Sequence, residues 1–403
     1  MPRFLTLDDL DVHGKRVLLR ADLNVPVKDG AVTDPTRIDR LAPTIEALIA
    51  KGAAVIVMSH FGRPNGRPDP ALSLRPVLAP LRRALGGRAV AFAEDCIGAK
   101  ARQVTAALAP GQVALLENLR FHPGEEANDV DFAKALAALG DIYVDDAFSA
   151  AHRAHASIAA LAQLLPAAAG RLMEAELEAL AAVLEHPDRP VLALIGGAKV
   201  STKLDLLRFV IGKVDVLAIG GAMANTLLYA KGVAVGRSLC ERDMADSARR
   251  LLALAEAARC RIMLPEDAVV AAELSPAAAA HIVAIDAVGD DMMILDIGPA
   301  TVARLGAALD AARTLLWNGP LGAFETPPFD RGTAAVARKA AELTRAGRLR
   351  SVAGGGDTVA ALAASGTIDQ LSYVSTAGGA FLEWLEGREL PGVAALIAAA
   401  RRD

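Results

Sequence analysis

The chain has 403 residues, 53% hydrophobic, 22% charged and 4% aromatic, a length beyond the usual single core and a composition that excludes a disordered chain. Two α/β domains of similar size are the default expectation. Lys+Arg 43 against Asp+Glu 47 gives a formal charge of −4, which speaks against a dedicated nucleic-acid surface while permitting a local basic cleft.

The opening MPRFLTLDDLDVHGKR has no apolar core of the kind an export signal needs, and later apolar stretches are broken by Asp, Asn, Gly or Pro before membrane-spanning length. Neither an export signal nor a membrane span is expected. Cys96, Cys240 and Cys260 form no CxxC or zinc spacing and cannot all pair within the chain, which favours buried free thiols and a reducing cytoplasm.

In the first half, RVLLR, AAVIVMSH, QVALLEN and DIYVDD read as strands alternating with helical patterns, the signature of βαβ units. FGRPNGRPDPALSLRP is a long loop between sheet-like segments. Arg20, Arg37, His60, Arg63, Arg120 and Arg153 are read at or just beyond strand ends, where ligands of open parallel sheets bind, so they can converge on one anion site. Arginine suits this role because its planar fork pairs two phosphate or carboxylate oxygens at once. Taken singly, each arginine reads first as a solvated surface residue, and it is the repeated placement that favours a site. Asp22 and Asn24 sit at the tip of the first strand, and Asp22 either accepts from a substrate hydroxyl or neutralises Arg20. His152 and His155 are spaced for one helix face, yet no further ligand supports zinc, leaving structural or phosphate-contacting roles.

LLPAAAGRLMEAELEALAAVLEHPDRP carries leucines at helical spacing between Pro166 with Gly170 and Pro187 with Pro190, and is read as the connector of two domains. Beyond it come strand candidates VLALIGG, VDVLAIGG, RIMLPED, MMILDIG, TLLWNG, LRSVAGGG and LSYVSTAGG. In VLALIGGAKVSTKLDLL the spacing places Lys199 and Lys203 on one face of a helix's first turns, where a bound polyanion would relieve their repulsion and their conflict with the helix dipole. The GxxxxGK[ST] spacing is absent, as are the HRD and DFG elements of protein kinases.

VDVLAIGGAMANT and LDIGPAT are candidates to line a flat base-binding slot. Glu325, after the WNGP turn, reads as a ribose contact or as an exposed loop glutamate. In Gly354, Gly355, Gly356, Asp357 and Thr358, glycines allow close approach of an anion, the following helix offers free N–H groups, and Asp357 can hold a divalent cation. The alternative is a strand-to-helix turn needing positive φ. YVSTAGGAFLEWLEG adds another glycine turn opening a helix. Together these segments point to phosphoryl transfer.

RADLNVP, SHFGRP, ENLRF, AHRAHAS, GGAKVSTK, WNGPLGAFE, GGGDT and STAGGAFLEWLEG, in this order, closely resemble phosphoglycerate kinases, and the likeness covers essentially the whole chain. The resemblance implies reversible phosphoryl transfer between 1,3-bisphosphoglycerate and Mg-ADP, giving 3-phosphoglycerate and Mg-ATP, by in-line transfer on domain closure. It implies two Rossmann-like three-layer domains with mainly parallel sheets joined by a hinge helix. These are a phosphoglycerate-binding domain over 1–170, a connecting helix over 171–186, a nucleotide-binding domain over 187–378, and a segment over 379–403 that packs back on the first domain. By motif position, Asp22, Leu23, Asn24, Arg37, His60, Phe61, Gly62, Arg63, Arg120 and Arg153 would bind the phosphoglycerate. Lys199, Lys203, Gly298, Glu325, Gly355, Gly356, Asp357 and Thr358 would bind the nucleotide, with Asp357 on Mg²⁺. Arg37, Lys199, Gly356 and Gly378 would be catalytic. A cytoplasmic monomer with no nucleic-acid or membrane partner completes the expectation.

Asp145 and Ser149 stand where the family often has Asn and Gly, Arg171 where an aromatic is common, and Ala377 where some members carry Gly. None of these removes a proposed ligand. The competing readings are a nicotinamide dehydrogenase, disfavoured by the missing GxGxxG, and a catalytically silent phosphometabolite-binding protein of the same fold, disfavoured by intact Arg37, Lys199, Lys203 and Asp357.

Overall fold

The computed structural model describes residues 4–402. Two compact units divide the chain: one runs up to Glu178 and includes the C-terminal stretch from Glu389, and the other spans Ala179–Arg388.

The first unit contains β1 (Arg16–Arg20), β2 (Val27–Lys28), β3 (Ala31–Val32), β4 (Ala54–Met58), β5 (Val90–Ala93), β6 (Val113–Leu116), β7 (Ile142–Asp145) and β8 (Ala167–Ala169). Its helices include α1 (Thr36–Ala50), α2 (Leu78–Ala84), α3 (Gly98–Ala106), α4 (Pro123–Glu126) and α5 (Val130–Ala137). Six strands form one parallel sheet in the order β5-β6-β4-β1-β7-β8, and β2 pairs β3 as a small antiparallel ribbon. Strands such as AVIVM are apolar at every position because helices cover both faces. On α1, Ile38, Leu41, Ile45 and Leu48 recur at helical spacing and enter the core against Val17, Leu19 and Val57.

Helix α6 (Arg171–Leu184) contains the division between Glu178 and Ala179. The second unit contains β9 (Val191–Ile195), β10 (Val216–Ile219), β11 (Arg261–Met263), β12 (Asp267–Ala271), β13 (His281–Ala284), β14 (Met293–Ile297), β15 (Thr314–Asn318), β16 (Arg350–Gly354) and β17 (Tyr373–Ser375). Its helices are α7 (Leu204–Ile211), α8 (Gly221–Ala230), α9 (Ala245–Ala257), α10 (Pro299–Ala311), α11 (Arg331–Arg345), α12 (Gly356–Ala364) and α13 (Gly379–Leu385). A parallel sheet runs β11-β10-β9-β15-β16-β17. Trp317, almost fully buried in this unit's core, donates its Nε1–H to Gly319 O at 2.8 Å.

Strands β2, β3, β5, β12 and β13 are not among the strand candidates, and three further features differ from the sequence reading. MMILDIG does not join the parallel sheet: β14 pairs antiparallel with β12, and β12 with β13, as a separate three-stranded sheet. The Ala167–Ala169 stretch, read as part of the approach to the connector helix, is a strand paired with β7. The chain returns to the first unit at Glu389 rather than at residue 379, because α13 packs on α7 within the second unit whereas α14 (Pro391–Ala399) packs beside β8.

In each parallel sheet the chain reverses its direction of strand addition beside the first strand laid down, at β1/β7 and at β9/β15. Such switch points open a crevice at the carboxyl ends of the strands.

Candidate functional site

The crevice of the first unit is built at the ends of β1, β4, β6 and β7. Arg20, the last residue of β1, is fully buried, and its Nε donates to Ser157 Oγ at 2.8 Å, its Nη1 to Ala21 O at 2.5 Å. Its Nη2 lies 3.2 Å from His60 Nδ1. Arginine can only donate, so His60 Nδ1 accepts and the ring is the neutral Nε2–H tautomer. Burial first, then the charges of Arg20 and Arg120, with Arg153 also contributing, holds the His60 pKa well below its ordinary value. Burial and the same positive charges hold His155 at about 4.

Arg37 is not at a strand end: it is the second residue of α1, whose start is fixed by Asp34 accepting from Thr36 N at 2.9 Å. From there its Nη1 donates to Asp22 Oδ2 at 2.7 Å and to Asn24 O at 3.1 Å. Of the two alternatives for Asp22, the neutralisation of Arg20 is therefore replaced by a pair with Arg37, supplemented by a hydrogen bond from Ser149 Oγ. Asn24 Oδ1 accepts from Gly62 N at 3.0 Å, and Arg120 Nη1 donates to Gly62 O at 2.8 Å. Asp22, Asn24, Arg37, Gly62 and Arg120 thus form one hydrogen-bonded chain. Leu23 N donates to Ser59 Oγ at 2.9 Å, and Phe61 N to Asn118 Oδ1 at 3.1 Å. Arg153 Nε reaches His152 Nε2 at 3.2 Å, and Arg63 is exposed. His152 lies in a turn and His155 in extended backbone, so the two do not share a helix face.

Sequence reasoning passed over the groups that hold these ligands. Asn118 clamps the loops after β4 and β6, donating through Nδ2 to Phe61 O at 2.7 Å and Leu72 O at 2.9 Å. Buried Glu125 accepts from Ser157 N and Oγ and so orients the hydroxyl that meets Arg20. Only the Asn within ENLRF, a residue type that favours such turn capping, offered a signal.

The crevice of the second unit lies between β9 and β15, whose ends meet backbone to backbone. A Cβ on Gly196 would stand 1.8 Å from Pro320 O, and one on Gly319 2.1 Å from Gly196 O. Lys199 and Lys203 do not share a helix face. Buried Val200 turns the chain, a 3-10 turn covers Ser201–Lys203, and α7 begins only at Leu204. Lys199 is left exposed, while Lys203 Nζ folds back to Gly196 O and to Asn318 Oδ1, both at 2.7 Å. Burial lowers the Lys203 ammonium to about 8, opposed by the charge of Asp357.

After β16, Gly355 takes φ +97 and caps α12, with its hydrogen side facing Asn318 Nδ2, which a Cβ would meet at 2.7 Å. Asn318 Nδ2 donates to Gly354 O at 2.8 Å. Thr358 Oγ1 donates to Gly354 O at 2.8 Å and accepts from Gly319 N at 2.6 Å, so it locks the glycine turn and does not point outward. The N–H groups of Gly356 and Asp357 open α12, and the exposed Asp357 carboxylate is a hard oxygen donor for a divalent cation.

A cavity of about 320 Å³ adjoins this turn, lined by Gly197, Gly221, Leu239, Leu321, Glu325 and Asp357 among others. Glu325 and Asp357 thus share one cavity. Asp296, also in its wall, is raised to about 7 by burial although Ile297 N and Gly332 N donate to it. Gly298 caps α10, but the N–H groups of Ala300 and Thr301 are taken by the Asp267 carboxylate at 2.8 and 2.7 Å. That helix start is filled from within. Gly378 caps α13 at φ +56, whereas Ala377 lies outside the left-handed region, so its methyl group is accommodated without strain.

The first unit thus holds an arginine cluster around neutral histidines, and the second a lysine, a glycine turn and a carboxylate around a slot. A phosphoglycerate kinase family model matches residues 7–388. Phosphoglycerate kinases of Rhodospirillum centenum and Methylorubrum extorquens are 61% and 62% identical over 393 and 397 residues, each covering 98% of this chain and 99% of the relative. The structure of phosphoglycerate kinase from Coxiella burnetii superposes with a TM-score of 0.93 at 43% identity, covering 100% of both chains. That of Pyrococcus horikoshii gives 0.78 at 31% identity over 99% of this chain. Matched along nearly its whole length in sequence and in fold, the chain belongs to the phosphoglycerate kinase family.

Proposed function

We propose that the protein is a phosphotransferase with a carboxyl group as acceptor, catalysing reversible phosphoryl transfer between 1,3-bisphosphoglycerate and Mg-ADP to give 3-phosphoglycerate and Mg-ATP. The observation that carries the reading is the pairing of an anion cluster at the β1/β7 switch point with a polyphosphate-suited turn at β9/β15, in a chain of this family.

In the ATP-consuming direction the nucleophile is the carboxylate of 3-phosphoglycerate, ionised at neutral pH, so no general base is needed. The neutral His60 and His155 fit that absence. Arg63, Arg120 and Arg153 bind the substrate phosphate, while Asp22 and Asn24 accept from and donate to its hydroxyl and backbone neighbours. Arg37 balances charge on the transferred group. Leu23, Phe61 and Gly62 shape the pocket walls. On the nucleotide side, Lys203 and the N–H groups of Gly355 and Gly356 take the phosphates, Lys199 follows the migrating phosphoryl, Glu325 meets the ribose, and Gly298 borders the base slot. Gly356 and Gly378 leave helix starts open to the developing charge.

One carboxylate beside phosphate oxygens suits Mg²⁺, which keeps several waters and binds through one or two protein oxygens. Asp357 would hold it, and the ion would supply charge neutralisation between phosphate oxygens. Transfer in line also requires substrate-driven domain closure, registered in small-angle scattering as compaction only with both substrates bound. No helix among the described residues is long and apolar enough to cross a membrane. A cytoplasmic location is expected, in keeping with three free cysteines. A monomer is expected by size-exclusion chromatography with light scattering.

The test is steady-state ADP formation from 3-phosphoglycerate, ATP and Mg²⁺ with the acyl phosphate removed by a coupling enzyme. Turnover requiring all three components is expected, and folded protein that binds ATP without turnover would overturn the reading.

A further inference from the structure

Away from the residues assigned above, β5 and β6 are parallel neighbours, so the loops that follow them emerge side by side. The first carries Asp95 and Cys96 before α3, and the second carries His122 before α4. Among the described residues, one carboxylate oxygen, one thiol sulfur and one imidazole nitrogen from these three side chains lie within 4.8 Å of one another. We propose that Asp95, Cys96 and His122 form a binding site for a transition-metal ion of borderline softness, of the Zn²⁺ class.

The donor types favour such an ion over Mg²⁺ or Ca²⁺, which prefer oxygen throughout, and over ions that demand sulfur alone. Cys96 is free and only 1% exposed, so its sulfur is screened from competing thiols and oxidants. Asp95 and His122 are half-buried at the wall of an open cavity of about 720 Å³, which provides the route of entry and water for a fourth coordination position. The carboxylate is held in place independently of the metal: Asp95 Oδ1 accepts from Cys96 N at 2.7 Å. The His122 ring is packed against Phe132, with centroids 5.5 Å apart. In the free protein His122 Nε2 lies 2.7 Å from Asp95 Oδ1, a contact that the ion would replace. Binding exchanges that contact and the Cys96 thiol proton for the ion, with the thiol proton released to solvent. The cation would then tie the loops after β5 and β6 together, and its effect is stabilisation of the first unit.

The experiment uses the full chain, free of any affinity tag, stripped with chelator and kept reduced by a phosphine, and titrated with Co²⁺ alone. One equivalent should give a thiolate-to-cobalt charge-transfer band in the near ultraviolet with the visible bands of a four-coordinate site, and Zn²⁺ should bleach both. Cys96→Ser should abolish the charge-transfer band. His122→Ala and Asp95→Asn should each weaken Zn²⁺ by at least about tenfold, the loss seen when even outer-shell partners of a metal are removed. Cys240→Ser should change nothing, and Zn²⁺ should raise the melting temperature of wild type but not of His122→Ala. If Cys96→Ser does not fold, the half-buried positions 95 and 122 decide the question by the same titration. Absence of the band in wild type, its persistence in Cys96→Ser, or unchanged Zn²⁺ affinity in both His122→Ala and Asp95→Asn would overturn the site.

Discussion

Lys203 Nζ lies 2.7 Å from Asn318 Oδ1, which joins the turn after β9 to the end of β15. The same amide donates to Gly354 O, so one buried side chain sets the lysine and the glycine turn relative to each other. Asn318→Ala would leave Gly354 O with Thr358 Oγ1 as its side-chain donor and Lys203 Nζ with backbone carbonyls alone. We expect a stability loss of about 1 kcal/mol, the scale of lost hydrogen bonds whose partners keep other contacts, together with a raised KM for nucleotide. Thermal unfolding and steady-state kinetics of the variant check both.

The Lys203 ammonium, lowered by burial to about 8, makes a pH prediction. Bound polyphosphate favours the charged amine, so above pH 8 nucleotide binding takes up a proton. Affinity should be level below pH 8 and fall toward about tenfold per pH unit above it. Lys203→Arg, charged throughout, should flatten the decline. The free protein shows the converse: between about 8 and 10.5 the unfolded chain keeps a proton that the folded amine has lost, so this group adds stability as pH rises. Calorimetric titration of ATP from about pH 7 to about pH 9.5 tests the first statement.

Asp145 is fully buried and raised to about 7, with Oδ1 accepting from Ala147 N at 3.0 Å and Oδ2 without a partner. Burial is the dominant cause. Because the folded value lies above the ordinary 3.8, the folded chain holds a proton that the unfolded chain releases, and stability from this group is lost as pH rises through 7. Asp145→Asn, which keeps the shape without the charge, should therefore stabilise the protein increasingly from pH 4 to pH 7 and by a constant margin above, at up to about 1.4 kcal/mol per pH unit. Urea unfolding of both proteins at acid and at neutral pH would show parallel profiles if the buried carboxyl were without effect.

The parallel cores were readable because β1, β4, β9 and β15 are short runs of Val, Ile and Leu bounded by loop residues. Strand β8 was not: Ala167–Ala169 is built of the strongest helix former, and pairing with β7 and a bridge to Thr6 make it extended. β12 and β13 were lost for a related reason, since DAVVA and HIVA are short and each adjoins further alanines, which blurs their ends. At the sites, chemistry-bearing residues stood out by type and by family likeness, whereas their geometry did not. The i,i+4 spacing of Lys199 and Lys203 suggested a helix face, yet buried Val200 breaks the pattern and sends one lysine inward. Asn118, Asn318, Glu125 and Ser157 act through distant partners, from 32 to 137 residues away in sequence, and no local pattern announces them.

Arg37 tests the central claim most directly, because it alone is assigned both to the anion cluster and to the transferred group while its one charged partner in the free protein is Asp22 among the described residues. Wild type and Arg37→Ala would be compared in coupled ADP formation with saturating 3-phosphoglycerate, ATP and Mg²⁺, alongside calorimetric ATP binding. The account predicts a fall in kcat of about 10²–10³, the scale of a lost transition-state charge contact, with ATP affinity and melting temperature little changed. An unchanged kcat in the variant would contradict it.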